Sequence, residues 1–190
     1  SLYEHIDSSK VGNYTRTTVS ELAGRASVIT KAKEFNIELS NEDAKKLIEE
    51  VQNLEHQGFQ FEAADGSLFL LMNKIKGLSP DYFDFESFRV FSERRNSENV
   101  VSEAVCKINV KDQRYVTTGE GVGPVDALSK ALVGGLRNDY PDIEVVKLID
   151  YKVRIIDSTD GTEATTRVLI EFTDGKRKWN TVGVHQNIIN

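Results

Sequence analysis

GEGVGPVDALSKAL, residues 119–132, is the stretch of sequence that decides the fold of this chain. Three glycines alternate with other residues, Pro124 follows, and an amphipathic helix is predicted to begin there. Proline is favoured at the first helical position because its missing N–H would have no partner in the helix anyway. The stretch therefore predicts a strand that passes through a glycine-lined turn directly into a helix.

The same turn is a candidate anion site. Free amides at a helix start can hold a carboxylate or a phosphate, aided by the helix dipole. The turn does not match the dinucleotide fingerprint G-x-G-x-x-G, whose last position is Pro124 counted from Gly119 and Asp126 counted from Gly121. Asp126 would repel a phosphate dianion, but it suits a ligand with both a carboxylate and an ammonium group, namely an amino acid. The spacing alone also leaves open a simple, well-formed helix start.

The composition argues against several classes of partner. The chain has 190 residues, 39% of them hydrophobic, and a net charge of −6. It can therefore form a core, but it would not attract nucleic acid or an anionic membrane. No apolar run approaches the roughly 20 residues of a membrane helix, and no secretory signal is recognised, so a cytoplasmic protein is expected. Cys106 is the single cysteine and the three histidines lack metal-ligand spacing, so no disulfide, metal or cofactor site is predicted.

Up to about residue 80 the pattern is helical, and three helices are predicted. The second begins at Ser40, whose side chain can accept from the free amide of Asp43, and it ends near Gly58. Asp65-Gly66 interrupts the third pattern and weakens it. The apolar faces are Leu22, Ala26, Ile29 and Ala32, then Ala44, Leu47, Ile48, Val51 and Leu54, then Phe61, Ala64, Leu68, Leu71, Met72 and Ile75. Packed together, these faces predict a small helical core.

From about residue 82 the pattern is mostly that of strands. An aromatic-rich strand is predicted at 82–91, and the polar segment 93–99 after it is the predicted domain boundary. The next strand alternates apolar and polar residues, which is typical of a half-buried strand, and its apolar positions are Ala104, Cys106, Ile108 and Val110. Cys106 is therefore expected to be a core residue rather than a nucleophile.

The helix from Pro124 and further strands complete this half. The helix is expected to bury Val125, Leu128, Leu132 and Leu136. The remaining strands are predicted at 114–118, 143–156, 163–173 and 177–184, with turns at Asp160-Gly161 and Asp174-Gly175.

An internal repeat connects the two parts of this half. A shift of 64 residues, from 119 to 183, carries one strand-to-helix passage onto another. The matched pairs are Tyr115 with Trp179, Thr117 with Thr181 and Gly119 with Gly183. Pro124 falls on Ile188, so the second repeat stops where its helix would begin. A chain that lacks this helix is expected to leave an apolar sheet face uncovered.

Longer stretches resemble a known family. They are YEHID, VGN and SELAGRAS within 3–27, GFQFEAADGSLFLL at 58–71, YF and FRV within 82–90, GEGVGPVDAL at 119–128, LIDYKVRI at 148–155, GTEATTRV at 161–168 and WNTVGVHQNII at 179–189. In this order they resemble the C-terminal portion of the 2-isopropylmalate synthase family. The QFEAADGS and LIDYKVRI stretches resemble the citramalate synthases within that family.

The resemblance implies an α+β fold with three regions. Small helical linker subdomains would occupy 1–80, and a connecting strand and link would occupy 81–99. A regulatory domain would occupy 100–190, with two strand-strand-strand-helix units, the second lacking its helix because the chain is truncated at the C-terminus. Family members form homodimers, and a separate barrel domain binds a divalent metal and condenses acetyl-CoA with a 2-oxo acid. This chain has no barrel, so it should be inactive alone.

The resemblance also implies a regulatory role. In a citramalate synthase, which joins acetyl-CoA to pyruvate in isoleucine biosynthesis, the regulatory domain would bind isoleucine as a feedback inhibitor. Leucine or lysine would be the effector if the chain were part of a 2-isopropylmalate or homocitrate synthase. A purely structural dimerisation module is the remaining alternative.

The resemblance implies two sets of functional residues. Tyr3 matches a linker tyrosine that, in the family, reaches the partner subunit's active site. The effector pocket would be formed by Gly121, Gly123, Val125, Asp126, Leu148, Tyr151, Ile155 and Thr165, with His185 and Asn187 as looser matches. Asp126 would take the ammonium group, the helix-start amides the carboxylate, and Leu148 and Ile155 the branched side chain, while Tyr151 would wall the site.

These residues also have plain structural interpretations. Tyr151, Val153 and Ile155 alternate as one packed face of a strand does. Asp126 is an acid at a helix start, where the dipole favours it.

Overall fold

The computed structural model describes residues 25–94, 100–156 and 164–186. The chain divides into two compact units between Leu78 and Ser79. The first unit is helical, and the second contains two antiparallel sheets with one helix. The α+β class predicted from the sequence is therefore confirmed. Within the described residues, no helix is long and apolar enough to cross a membrane.

The first unit contains, from residue 25 onward, the three α-helices α1 (Arg25–Glu34), α2 (Asn41–His56) and α3 (Asp65–Ile75). Ser40 and Asp43 form a capping box at the start of α2, so the predicted start is confirmed. The doubtful Asp65-Gly66 pair marks the first turn of α3, after a short 3₁₀ turn, rather than a break inside a helix. The buried apolar side chains in the described part of this unit are Val28, Ala32, Ala44, Leu47, Val51, Phe61, Ala64, Leu68 and Met72.

The second unit begins with a three-stranded antiparallel sheet, here the first sheet. Its strands are β1 (Asp84–Arg94), β2 (Val100–Val110) and β3 (Gln113–Gly121), paired in the order β1-β2-β3. Strand β1 pairs with β2 along its length, so it is the first strand of this unit and not a connecting segment. The domain boundary predicted at 93–99 is therefore wrong, because that segment joins two paired strands.

The helix α4 (Pro124–Leu136) packs on the first sheet. The alternating residues of β2 predicted to be buried are buried, and Cys106 is a core residue as expected. The buried face of α4 differs from the prediction, since Leu128 and Leu132 are only partly buried. The fully buried positions of α4 are small, namely Ala127, Ala131 and Gly135, with Leu136 at its end.

The second sheet follows a 3₁₀ turn over Pro141–Val145. Its strands are β4 (Lys147–Ile155), β5 (Thr166–Thr173) and β6 (Lys178–His185), in the order β4-β5-β6. The strand predicted from 143 therefore begins four residues later, since the proline-led turn precedes it. The turn predicted at Asp160-Gly161 lies outside the described residues, whereas Gly175 adopts a positive φ of 85° in the other predicted turn.

The pairing registers confirm the internal repeat. In the first sheet Tyr115 pairs with Ile108, and in the second Trp179 pairs with Phe172. Each of these residues is 64 positions from its counterpart. Both sheets also carry an irregularity at the same place, between Phe85 and Ser87 and between Leu148 and Asp150. The two sheets are thus the same three-stranded unit, down to a repeated bulge.

The face of the second sheet that corresponds to the helix-covered face of the first is apolar and open. None of the described strand residues in this sheet is fully buried. Val153 is 37% exposed and Ile155 is 66% exposed. Among the described residues, nothing covers this apolar face fully, as expected.

Candidate functional site

The alternating glycines of 119–132 allow α4 to lie directly against β3. A Cβ added to Gly119 would collide with the backbone of Ala127 and Ala131. A Cβ added to Gly121 would stand 2.6 Å from the backbone nitrogen of Ala127. Close backbone approach, rather than a phosphate cradle, therefore explains these two glycines.

Gly123 has a different role, as the N-cap residue of α4. Its backbone is extended, with φ −156° and ψ 170°, and an added Cβ would meet nothing within 4 Å. Its carbonyl accepts from the amide of Ala127 at 3.0 Å. Pro124 occupies the first helical turn, as predicted. Since no side chain caps this end, the amides of Val125 and Asp126 remain available at the positive pole of the helix.

The carboxylate of Asp126 closes the turn. Its Oδ2 accepts from the backbone amide of Val122 at 3.2 Å and from Nζ of Lys130 at 2.9 Å. The same ammonium group donates to the carbonyl of Glu120 at 3.0 Å. An acidic side chain, a cationic group and helix-start amides therefore lie within one short segment.

Asp126 already has a cationic partner within α4. In the structure Lys130 supplies the ammonium partner of Asp126, and both side chains are substantially exposed. An exposed ion pair of this spacing contributes only about 0.3–0.5 kcal/mol. A ligand ammonium group can therefore displace Lys130 at small cost.

The second group of predicted pocket residues lies on or beside β4. Leu148 and Tyr151 are half-buried, whereas Ile155 is exposed. Burial raises the pKa of the Tyr151 phenol, because the charged form is disfavoured away from water. Thr165 precedes β5 and accepts through its carbonyl from the amide of Ile156 at 2.9 Å. Leu148, Tyr151 and Ile155 share one face of the second sheet, the open apolar face described above.

The remaining predicted site residues lie at the edges of the described structure. His185 ends β6, where its carbonyl accepts from the hydroxyl of Thr166 at 2.7 Å. Tyr3 and Asn187 lie outside the described residues. The contacts above bring together Gly121, Val122 and Asp126 at the helix start, and they leave the pocket as a whole a prediction.

Sequence reasoning missed the part played by Lys130. The signal was present, because an acid and a lysine four residues apart face each other on a helix. Its second bond, to a carbonyl of β3, depends on the close approach of helix and strand and could not be read from spacing.

Among the described residues, no cluster of three or more His, Cys, Asp or Glu side chains could hold a metal ion. Cys106 lies in the core, and burial raises the pKa of its thiol. Since the thiolate is the reactive form, this cysteine is held in its unreactive state.

Comparison with known proteins gives two concordant findings. The family model described as "LeuA allosteric (dimerisation) domain" matches residues 62–190. A protein of Aquifex aeolicus named (R)-citramalate synthase is 47% identical over 190 residues, covering 98% of this chain and 36% of the relative. Proteins of the same name from Geobacter sulfurreducens and Streptomyces coelicolor are 41% and 44% identical, again over 36% of their own lengths. The chain thus spans about a third of the length of these relatives.

Proposed function

Since the chain belongs to the LeuA allosteric (dimerisation) domain family, we propose that it is the regulatory and dimerisation portion of a citramalate synthase. The observation that carries the proposal is the similarity of 98% of the chain to proteins named (R)-citramalate synthase. The whole protein would be a cytoplasmic acyltransferase that joins acetyl-CoA to pyruvate. Its divalent metal would belong to a catalytic barrel that this chain does not contain, so the chain alone would be inactive.

Isoleucine is the proposed effector, bound at the start of α4. Its carboxylate would meet the amides of Val125 and Asp126 at the helix start, and its ammonium group would replace Lys130 beside Asp126. Leu148 and Ile155 would contact its branched side chain, with Tyr151 as a wall. The exposed Asp126–Lys130 pair supports this proposal because it shows an ammonium group held at the position that the ligand would need.

Feedback inhibition requires that isoleucine binds one arrangement of the dimer more tightly than another. A ligand with equal affinity for both would shift no equilibrium. A coupling free energy of about 1–3 kcal/mol between effector and active site would be typical of such control.

Calorimetric titration of the chain with isoleucine, with leucine as the paired ligand, tests the proposal. We expect selective isoleucine binding and at least about a tenfold loss of affinity in Asp126→Asn, since a charge-assisted hydrogen bond to the ammonium group is lost. Lys130→Met is the matched control, because it removes the competing cation, together with its bond to the carbonyl of Glu120. It should leave the affinity equal or higher.

The other outcomes distinguish the alternatives. Selective leucine binding would favour a 2-isopropylmalate synthase. If Asp126→Asn and the unaltered chain bound isoleucine equally well, the start of α4 would not be part of the isoleucine site. Binding of neither amino acid would leave dimerisation as the function, and the family description supports that second candidate.

A further inference from the structure

The outer face of the first sheet points away from α4, and no described helix or strand packs on it. Phe91 and Val116 lie on this face and are 59% and 54% exposed. On the central strand β2 the outward residues are Glu103, Val105 and Lys107, which alternate with the buried residues. The centre of this face is therefore an apolar residue between two opposite charges.

The repeat places a matching face on the second sheet. Arg167, Leu169 and Glu171 on β5 stand 64 residues beyond Glu103, Val105 and Lys107. The central residue is apolar in both rows, Val105 in the first sheet and Leu169 in the second. Both flanking charges are reversed, which a common fold does not require.

The strands beside β2 and β5 show the same reversal of charge between the two sheets. Glu120 of β3 pairs with Glu103, which makes an acidic pair on the first sheet. Arg154 of β4 pairs with Arg167, which makes a basic pair on the second sheet. Opposite charges attract across a packed interface, so the acidic pair of one sheet and the basic pair of the other are complementary.

We propose that the outer face of the first sheet packs against the outer face of the second sheet of another copy of this chain, with β2 and β5 parallel. A rotation of 180° about an axis along the strands brings each residue opposite its repeat counterpart on the central strands. It also exchanges the two edges, so that β3 faces β4 and β1 faces β6.

This geometry places each charge just described opposite a charge of the other sign, and it places Val116 opposite Asp150. Glu103 meets Arg167 and Lys107 meets Glu171. At the edges, the acid at 120 meets the arginine at 154, and Phe91 meets Val184. With antiparallel central strands, Glu103 would face Glu171 and Lys107 would face Arg167, which charge repulsion opposes.

The inference rests on the proposed dimerisation and deepens it by naming the faces. A two-fold dimer contains the contact twice, first sheet to second and second to first. A single charge reversal therefore places like charges together in both contacts, whereas exchange of the two charges restores attraction in both.

The test measures the dimer dissociation constant of the 190-residue chain by analytical ultracentrifugation. We expect Glu103→Arg and Arg167→Glu each to raise this constant by about tenfold, since two contacts lose up to about 1 kcal/mol each. The double variant should return to within about threefold of the unaltered chain. The increase should shrink at high salt, because ions screen exposed charges.

Three results would overturn the inference. Unchanged dissociation constants in both single variants would mean that the chains associate elsewhere, for instance through the open apolar face of the second sheet. Weakening by Glu103→Arg alone, without rescue, would mean that two copies of the first sheet face each other. A monomeric unaltered chain would overturn the proposed dimerisation as well. Circular dichroism of each variant confirms that the fold is retained.

Discussion

At the residue scale, side-chain size decides how closely α4 approaches the first sheet. Two adjacent glycines near the end of α4 differ in how much space surrounds them. A Cβ on Gly135 would stand 2.7 Å from Cδ1 and 3.2 Å from Cγ1 of the buried Ile108. A Cβ on Gly134 would come no closer than 3.8 Å to any neighbour, at Thr117. The two positions differ by one residue of helical rotation, so they separate helix propensity from packing.

Alanine substitution at these two glycines should have opposite effects on the free energy of unfolding. Gly134→Ala should stabilise the chain by about 0.5–1 kcal/mol, since alanine costs less backbone entropy in a helix. Gly135→Ala has the same entropic advantage, but its added methyl group crowds the core. We therefore expect a net decrease in the free energy of unfolding of about 1–2 kcal/mol. Urea unfolding followed by circular dichroism measures both. Equal values for the two variants would mean that the side chain of Ile108 moves aside without cost.

Individual residues also show what the sequence could and could not predict. The alternation of β2 identified its buried residues because a strand has a fixed period of two. The buried face of α4 was mispredicted because large apolar residues were taken as the core stripe. The spacing of Ala127, Ala131 and Gly135, four residues apart, carried the correct signal. It becomes clear only when β3 is known to offer glycines opposite them.

At the element scale, two side-chain hydroxyl groups of β3 bond to α4 and to the turn after it. The hydroxyl of Thr117 donates to the carbonyl of Ala131 at 2.6 Å. The hydroxyl of Tyr115 donates to Oδ2 of Asp139 at 2.8 Å, and Lys111 lies 3.6 Å from the other carboxylate oxygen. The first bond fixes the middle of the helix and the second fixes its exit. Only the second can be broken by a change of pH.

The bond to Asp139 raises the pKa of Tyr115, with desolvation and the negative charge acting in the same direction. Because the folded pKa is above the unfolded value of about 10, its stabilising effect is complete below that pH. It is lost as the pH rises through the folded pKa. Above pH 10 we therefore expect the stability of the unaltered chain to fall more steeply than that of Tyr115→Phe.

Spectrophotometric titration of tyrosinate checks the same bond directly. Burial also raises the pKa of Tyr151, so the comparison is made in a Tyr151→Phe background. There the highest-pH part of the absorbance change should disappear when Tyr115→Phe is added. In Asp139→Asn it should move to lower pH, since the negative charge is gone. A titration curve that keeps its high-pH part in Tyr115→Phe would mean that another tyrosine holds the raised pKa.

At the scale of the whole molecule, the repeat was the most informative prediction from the sequence. Three matched pairs predicted a shift that the registers of both sheets then reproduced. The sequence indicated the change from helices to strands near residue 80, close to the division between Leu78 and Ser79. It assigned the strand at 84–94 to a connection instead of the first sheet, because the polar link after that strand resembles an interdomain connection. Pairing between distant segments settles such a boundary, and composition does not record it.

Chemical cross-linking between copies should detect whether the first sheet of one copy faces the second sheet of another. Val105 and Leu169 occupy the centres of the two outer faces, so Val105→Cys chains mixed with Leu169→Cys chains should give covalent dimers. A short bis-maleimide is the suitable reagent, because packed sheets stand about 10 Å apart, further than a disulfide reaches. Random mixing limits the yield to about half of the chains, since only mixed dimers bring the two thiols together.

The single-variant samples supply the control for this experiment. Cys106 should not react with the maleimide, because it is buried and the pKa of its thiol is raised. Each variant alone should give no covalent dimer, since its thiol then faces Val105 or Leu169 of the partner rather than a second cysteine. Dimers formed by Val105→Cys alone would place two first sheets together. A product from the mixture alone requires unlike sheets to meet, and this is what the reversed charges at 103 and 167 predict.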